Sequence, residues 1–292
     1  MNFADRLKEI RKREGLSQEE LADKIGVSRQ AITKWETGKG LPDIENMVIL
    51  SEIFKLTLDE LISAEAADRQ AQGEKYRSET IYDIDAVKYF DIKLISAKQI
   101  TITSNKEEKL YIKLESETME NLSSLFKVKL EMSGNKLEVT CMKKQEISEK
   151  MLMEDLYITI SLPDNYLEHC EVEAKAVEVN MSELSLERFE YDGDASQITI
   201  RKCSGSIEFA GKSDYNIAID KIQGKLEITQ INARTMLHIL EDTDFRVETK
   251  RKKIPVFWEK AGENCEKFDN SESENILSVN GIKSEIIISV EK

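Results

Sequence analysis

Apolar residues in the first 62 positions recur at helical spacing, interrupted by glycines and capping residues. Phe3, Leu7 and Ile10 follow the i, i+4, i+7 rhythm of an amphipathic helix, and Gly15 fits its stop. Ser17-Gln18-Glu19-Glu20 reads as a capping box: Ser17 caps the next helix and Glu20 reaches back to the Ser17 amide. Leu21 and Ile25 carry that helix's apolar face and Gly26 ends it. Ser28 caps a third helix, with Ala31, Ile32 and Trp35 turned inward and Gly38 closing it. After Pro42, the residues Ile44, Met47, Val48 and Ile49 predict a fourth helix running to about Lys55. Thr57-Leu58-Asp59-Glu60 is a second capping box and begins a fifth, carrying Leu58, Leu61 and Ile62. Five short helices predict a compact all-α domain over residues 1–62.

From residue 63 to 80 the chain turns polar and small (Ala64, Ala66, Ala67, Gln70, Ala71, Gln72, Gly73), which reads as a linker able to assist dimerisation. Beyond residue 80 the apolar period drops to two. Alternation predicts strands at Tyr89–Leu94, Gln99–Thr103, Lys109–Leu114, Phe126–Met132, Lys136–Met142 and Leu156–Ser161. Asn121–Phe126 gives no clear signal, and Ile147–Met153 fits a loop or a short helix. Further on, apolar-x-apolar triplets start at Val177, Ile198, Ile207, Ile217, Leu226 and Leu237. From Ile198 the starts lie 9, 10, 9 and 11 residues apart, with Gly205, Gly211 and Gly224 in the gaps. Two such spacings make 19 or 20 residues, one coil of a β-solenoid whose strands stack like on like. A sandwich or meander also gives short strands at this spacing. The fold class is thus multidomain α + β, with residues 81–292 an all-β repeat domain, read as a β-solenoid.

Helices two and three are separated only by Gly26 and Val27, the geometry of a helix-turn-helix. The second helix of such a pair fits a major groove about 12 Å wide. Its outer face offers Ser28, Arg29, Gln30, Thr33 and Lys34, all hydrogen-bonding types. Arginine matches guanine O6/N7 and glutamine matches adenine N6/N7. Trp35 lies in the apolar stripe and reads as core rather than as a stacking platform. Arg11, Lys12 and Arg13 fit a solvated helix end favoured by its own dipole, with phosphate contact as the alternative.

Leu16-Ser17-Gln18-Glu19-Glu20-Leu21-Ala22, Gly26-Val27-Ser28, Trp35-Glu36-Thr37-Gly38 and Leu41-Pro42 together resemble the Cro/C1, or xenobiotic-response-element, family of phage-repressor-like regulators. The resemblance covers about residues 3–62. It implies that Gln18 and Ser28 touch phosphate or its nearest base. Arg29, Gln30 and Lys34 would read base edges, although Lys34 can equally reach a phosphate. Thr33 would meet a thymine methyl, Lys39 would contact backbone, and Glu36 would pair with Arg11. Residues 82–292 resemble a bacterial β-strand-repeat family labelled adhesin, whose members form β-helix-like stacks. The carriers are Leu162-Pro163-Asp164, the glycine-punctuated repeats and the closing Asn280-Gly281-Ile282-Lys283-Ser284-Glu285-Ile286. This copy is poorer in Gly-Asp repeats than the family pattern, and the label carries no activity.

The net charge of −14 looks unsuited to DNA until it is located. Residues 1–62 hold 10 Lys/Arg against 12 Asp/Glu, a net of −2, so the other 230 residues carry −14 − (−2) = −12. Residues 1–40 alone, with 9 basic and 7 acidic side chains, are at +2. Repulsion between the acidic remainder and phosphate would limit non-specific binding. There is no run of about 18 apolar residues and no basic-then-apolar leader, so neither a membrane partner nor export is expected and the cytoplasm is. Cys141, Cys170, Cys203 and Cys265 form no C-x-x-C pair, and His169-Cys170 would point to opposite faces of a strand. They read as small apolar fillers in a reducing compartment, with a redox or metal sensor as the alternative.

Asp192-Gly193-Asp194 reads as a turn rather than a calcium site. Lys250-Arg251-Lys252-Lys253 reads as a solvated loop, with a second phosphate contact or an acidic partner as the alternative, and Phe257-Trp258 as a local cap on the solenoid. No phosphate loop, metal-ligand spacing or nucleophile triad is present, so no cofactor or metal is expected and an enzyme is not. The reading is a sequence-specific DNA-binding transcription regulator whose partner is double-stranded DNA. It would act as a homodimer, with the β domain supplying dimer contacts or sensing a ligand or protein. The alternative is an interaction protein whose β domain binds a partner protein while the DNA module only localises it.

Overall fold

The computed structural model describes residues 3–54, 56, 61, 75–86, 88–241, 243–249, 254–260, 263–266 and 270–291. They fall into two compact units, Met1–Tyr76 and Arg77–Lys292.

The first unit contains α1 (Phe3–Arg13), α2 (Gln18–Ile25), α3 (Arg29–Glu36) and α4 (Ile44–Phe54). Each boundary has a local cause. The Ser17 hydroxyl accepts from the Glu20 amide at 3.1 Å, and the Glu20 carboxylate accepts from the Ser17 amide at 2.7 Å. Gly26 ends α2 with φ +82°, a left-handed conformation that glycine adopts without a Cβ penalty. Ser28 caps α3 by accepting from the Ala31 amide. Asp43 does the same for α4 through the Asn46 amide. Leu7, Ile10, Leu21, Ile32, Leu50 and Leu61 are fully buried together, with Trp35 beside them. Trp35 is therefore core. On α4, Leu50 and Phe54 are buried in this core and Ile49 and Ile53 pack against it, whereas Ile44 and Val48 face outward. The expected fifth helix lies almost wholly outside the described residues; of it Leu61 is described, helical and buried.

The second unit is a β-solenoid. In chain order its strands are β1 (Tyr76–Asp83), β2 (Lys88–Lys93), β3 (Ala97–Asn105), β4 (Lys109–Ser116), β5 (Phe126–Ser133) and β6 (Lys136–Lys143). Then come β7 (Tyr157–Pro163), β8 (Leu167–Ser182), β9 (Ser185–Arg201), β10 (Cys203–Gly211), β11 (Tyr215–Ile219) and β12 (Ile222–Ile231). The series closes with β13 (Arg234–Leu240), β14 (Arg246–Thr249), β15 (Val256–Lys260), β16 (Glu263–Asn264), β17 (Ile276–Ile282) and β18 (Glu285–Glu291). Glu149–Asp155 is a helix and Leu122–Leu125 a single helical turn, in the two stretches where alternation failed.

Most neighbours are parallel and in register, which a sandwich or meander does not give. Cys203 lies beside Ile222 and His169 beside Arg188, each nineteen residues on. One face stacks β6, β2, the first half of β8, the first half of β9, β10, β12, β17 and β14. The other stacks β7, β3, the second halves of β8 and β9, β11, β13, β18 and β15. Identical register lines the interior with apolar columns. On the first face Leu137, Phe90, Cys170, Phe189, Ile207, Leu226 and Leu277 follow one another. On the second Ile158, Ile100, Val179, Ile198, Ile217, Leu237 and Ile288 do so. Trp258 closes that second column beside Ile288, while its neighbour Phe257 is exposed.

The order of coils does not follow the chain. The last pair, β17 and β18, lies between β12–β13 and β14–β15. Likewise β2 and β3 lie between β6–β7 and β8. Strand β1 begins within the stretch read as linker. Its half-buried positions are Tyr76, Ser78, Thr80 and Tyr82, which carry hydroxyls, so it lacks an apolar alternation. The basic run 250–253 lies outside the described residues.

Register also orders the acidic surface. Glu138, Asp91, Glu171, Glu190, Glu208 and Glu227 form one outward column, with like charges one strand spacing apart. The neighbouring outward column supplies cations. Lys136 meets Asp91 at 2.5 Å, Arg188 meets Glu190 at 2.5 Å, and Lys225 pairs with Glu227. Part of the acidity of this unit is thereby organised as a largely ion-paired ladder on one sheet face.

Cys141, Cys170 and Cys203 are buried core positions. Burial pushes their thiols up, that of Cys141 to about 12, which keeps them in the protonated, unreactive form. Gly193 sits in mid-β9, between the half paired with β10 and the half paired with β11, so Asp192 and Asp194 lie in continuous strand rather than in the turn expected from the sequence.

Candidate nucleic-acid interface

The α2–turn–α3 pair presents one polar face. Arg29, Gln30, Thr33 and Lys34, at i, i+1, i+4 and i+5, are all exposed, while Ile32, Trp35 and Glu36 on the opposite side are buried. Ser28 and Lys39, at either end of this face, are exposed as well. Gln18, on α2, is half-buried. Six of the seven residues expected at the interface are thus solvent-facing on or next to α3, and the seventh is held against it.

That holding is done by a charged network. Arg11 on α1 donates from Nε to Glu36 Oε1 at 2.5 Å and from Nη2 to Oε2 at 3.0 Å, a bidentate pair. Its Nη1 donates to the Leu16 carbonyl at 2.7 Å, pinning the α1–α2 loop. Gln18 Nε2 donates to Glu36 Oε2 at 2.8 Å. The Thr33 hydroxyl lies 3.1 Å from Gln18 Oε1 and 3.1 Å from the Arg29 carbonyl. The chain Arg11–Glu36–Gln18–Thr33 therefore ties α1, α2 and the exposed face of α3 together. Burial pushes the Glu36 carboxyl up, but the hydrogen bonds from Arg11 and Gln18 outweigh it and hold the group below the usual carboxylate range. The hydrogen bond to Glu36 raises Arg11, against the lowering effect of burial. Paired in this way, Glu36 brings no unpaired negative charge to the exposed face of α3.

The Arg11–Glu36 contact agrees with what the family pattern implies. The Gln18 bridge does not follow from the sequence. Nothing in a one-dimensional pattern says that a side chain on the first turn of α2 reaches both Glu36 and Thr33. Ser28 also spends its hydroxyl on its own helix, as the cap of α3.

These features define a helix-turn-helix domain joined to a parallel β-solenoid. The chain belongs to the Toastrack DUF4097 family, whose profile matches residues 89–255, and residues 7–61 match the Helix-turn-helix family. It is 43% identical over 74 residues to the HTH-type transcriptional activator BcrR of Enterococcus faecalis, covering 25% of this chain and 36% of that protein. It is 35% identical over 72 residues to the cryptic phage CTXphi transcriptional repressor RstR of Vibrio cholerae, covering 25% and 64%. The chain thus spans about a third to just under two thirds of the length of these curated relatives. Among solved structures it is similar to a protein described as a cell-adhesion protein of Clostridium sporogenes, at 13% identity and TM-score 0.36, covering 75% of this chain and 100% of that one. A protein described as an adhesin of Bacteroides fragilis matches at 13% identity and TM-score 0.38, covering 75% and 99%. Both likenesses are too loose to bear on function. No described helix is long and apolar enough to cross a membrane.

Proposed function

We propose that this chain is a sequence-specific DNA-binding transcription regulator that places α3 in the major groove. The observation that carries the reading is the polar face of α3, exposed along its length and fixed from behind by the capped α2 and the Arg11–Glu36 pair. Arg29, Gln30 and Lys34 are assigned to base edges and Thr33 to a thymine methyl. Ser28 and Lys39 are assigned to backbone contacts. Residues 1–62 constitute the DNA-binding domain, the linker read at 63–80 gives way to β1 at Tyr76, and the β domain runs from there to 292. The chain acts in the cytoplasm as a homodimer on half-sites about one helical turn apart, and the β domain supplies dimer contacts or senses a signal.

Selection of bound sites from random duplex DNA by the full-length chain tests this. An enriched motif with two-fold symmetry is expected; a pool left unenriched sinks the proposal. Arg29→Ala and Gln30→Ala should each cost about 1–3 kcal/mol of operator binding and relax base preference at one position. Lys39→Ala should instead weaken all sequences alike and reduce the salt slope by about 1, measured by titration across salt concentrations.

Gln18 separates two roles in one experiment. A phosphate ligand lost in Gln18→Ala lowers affinity on every sequence and reduces the salt slope. With both ends of its amide engaged by Glu36 and Thr33, the expected outcome is different: an unchanged salt slope and weaker base preference where Thr33 reads. The effect should be non-additive with Thr33→Val, because the two side chains act through one contact.

A further inference from the structure

We propose that the open edge of β5 is the homodimer interface of this chain, two copies pairing antiparallel about a two-fold axis at Leu130. The inference rests on the homodimer reading above and names the surface that carries it.

Strand β5 is paired along its whole length with β6, and β6 in turn with β2, so among the described residues β5 is outermost on its face. At the start of the pair the Lys144 amide donates to the Leu125 carbonyl at 2.8 Å. Directly opposed residues of an antiparallel ladder exchange hydrogen bonds only at alternate positions. The odd-numbered residues of β5 therefore turn their N–H and C=O toward β6. Val128, Leu130 and Met132 turn theirs to the open side. The ladder to β6 runs without a register shift and β5 contains no proline, so two common devices against edge pairing are absent. The inner side chains are also incompletely covered. Val128 and Leu130 are half-buried and Met132 is 44% exposed, whereas Cys141, Val139 and Leu137, opposite them in that order on β6, are buried.

The charges select the occupant and its direction. A copy added parallel and in register would set Lys127 against Lys127 and Lys129 against Lys129. With Leu130 opposite Leu130 in an antiparallel pair, Lys129 faces Glu131 of the second copy on both sides of the axis. Val128 then faces Met132 twice, and Lys127 faces Ser133. Hydrogen bonds form at Leu130 itself, so the Lys129–Glu131 pairs occupy the non-hydrogen-bonded positions. There Cα atoms approach to about 4.5 Å and side chains are closest. Lys129 and Glu131 already meet at 2.5 Å within one chain. The dimer arranges these four charges with alternating sign around the axis. Being isologous, the contact closes at two copies and leaves no growing edge on that side.

Sedimentation of the full chain tests the proposal with Lys129→Glu, Glu131→Lys and the double exchange carrying both. These are exposed side chains, and circular dichroism checks that each variant keeps its fold. The wild type should be a dimer. Each single reversal turns two opposed attractions into repulsions and should raise the dimer Kd about ten-fold or more. The double exchange should restore it to within about three-fold, and mixing the two single variants should yield a mixed dimer. Failure of the double exchange to restore dimerisation overturns the proposed register. A dimer indifferent to all three variants overturns the β5 interface and leaves the homodimer standing. A chain that stays monomeric at about 100 μM, well above typical operator affinities, overturns both.

Discussion

Gly205→Ala is expected to destabilise the β unit by about 3 kcal/mol or more. Gly205 has φ +112°, where side chains are strained, and a Cβ there would sit 1.7 Å from the Leu186 carbonyl oxygen of the coil beside it. Backbone, not a flexible side chain, is what it strikes, so the coil must separate locally. Gly224 lies directly opposite in the next coil, at φ +114°, and its own Cβ would sit 2.5 Å from the Gly205 carbonyl oxygen. The two glycines thus mark a place where successive coils approach too closely for any side chain. Urea unfolding followed by the strand signal in circular dichroism should show a lower midpoint with little change in slope. Wild-type stability in Gly205→Ala means that the coils do not approach as described.

Glu36→Ala should cost about 3–5 kcal/mol in the helical unit, because it leaves Arg11 buried without its partner. The side chains are 10% and 1% exposed, so water offers little compensation. Binding should fall further than stability alone explains, since Gln18 loses its anchor and α3 loses its tie to α1. The same pair predicts a pH dependence with a definite sign. Folding holds Glu36 below its ordinary carboxylate value, so its contribution is fully present above that ordinary value. It is lost as the pH falls through the depressed folded value. Thermal melts read by Trp35 fluorescence, in a Trp258→Phe background, should lose stability on acidification. Glu36→Gln should be less stable at neutral pH and less sensitive to acid. An unchanged acid sensitivity in Glu36→Gln assigns the effect to other carboxylates.

Much of the helical unit is readable one residue at a time because its determinants are local. Ser17 and Glu20 lie three positions apart and cap their own helix, and Gly26 ends it by its own φ. The apolar stripe Leu7, Ile10, Leu21, Ile32 and Trp35 follows from a 3.6-residue period. The exposed polar face of α3 is the complement of that stripe. What the helical period leaves open is which polar residues meet across helices. Gln18 therefore reads equally well as a phosphate ligand and as the bridge that the structure displays.

In the β unit the triplet spacing announces the coil length, because parallel stacking requires each coil to bring its apolar positions back into register. Cys203 beside Ile222 and Ile217 beside Leu237 express the nineteen- and twenty-residue returns that the spacing implies. Strand β1 escapes this reading because its half-buried side carries Tyr76, Ser78, Thr80 and Tyr82 rather than an apolar set.

The sequence by itself determined the helix-turn-helix, its caps and the exposed polar face of α3, the change of period near residue 80, and the coil repeat. Each of these is a relation between residues a few positions or one coil apart. Tertiary structure alone decided the order of the coils, with β17–β18 placed between two earlier pairs and β2–β3 between two later ones. It also decided which glycines face a neighbouring carbonyl, how the acidic ladder meets its cations, and which strand is left outermost. The physical reason is that stacked coils have nearly the same apolar period. Any coil satisfies the interior of any other, and the order is chosen by loop lengths, corner geometry and cross-coil contacts that a one-dimensional pattern does not contain.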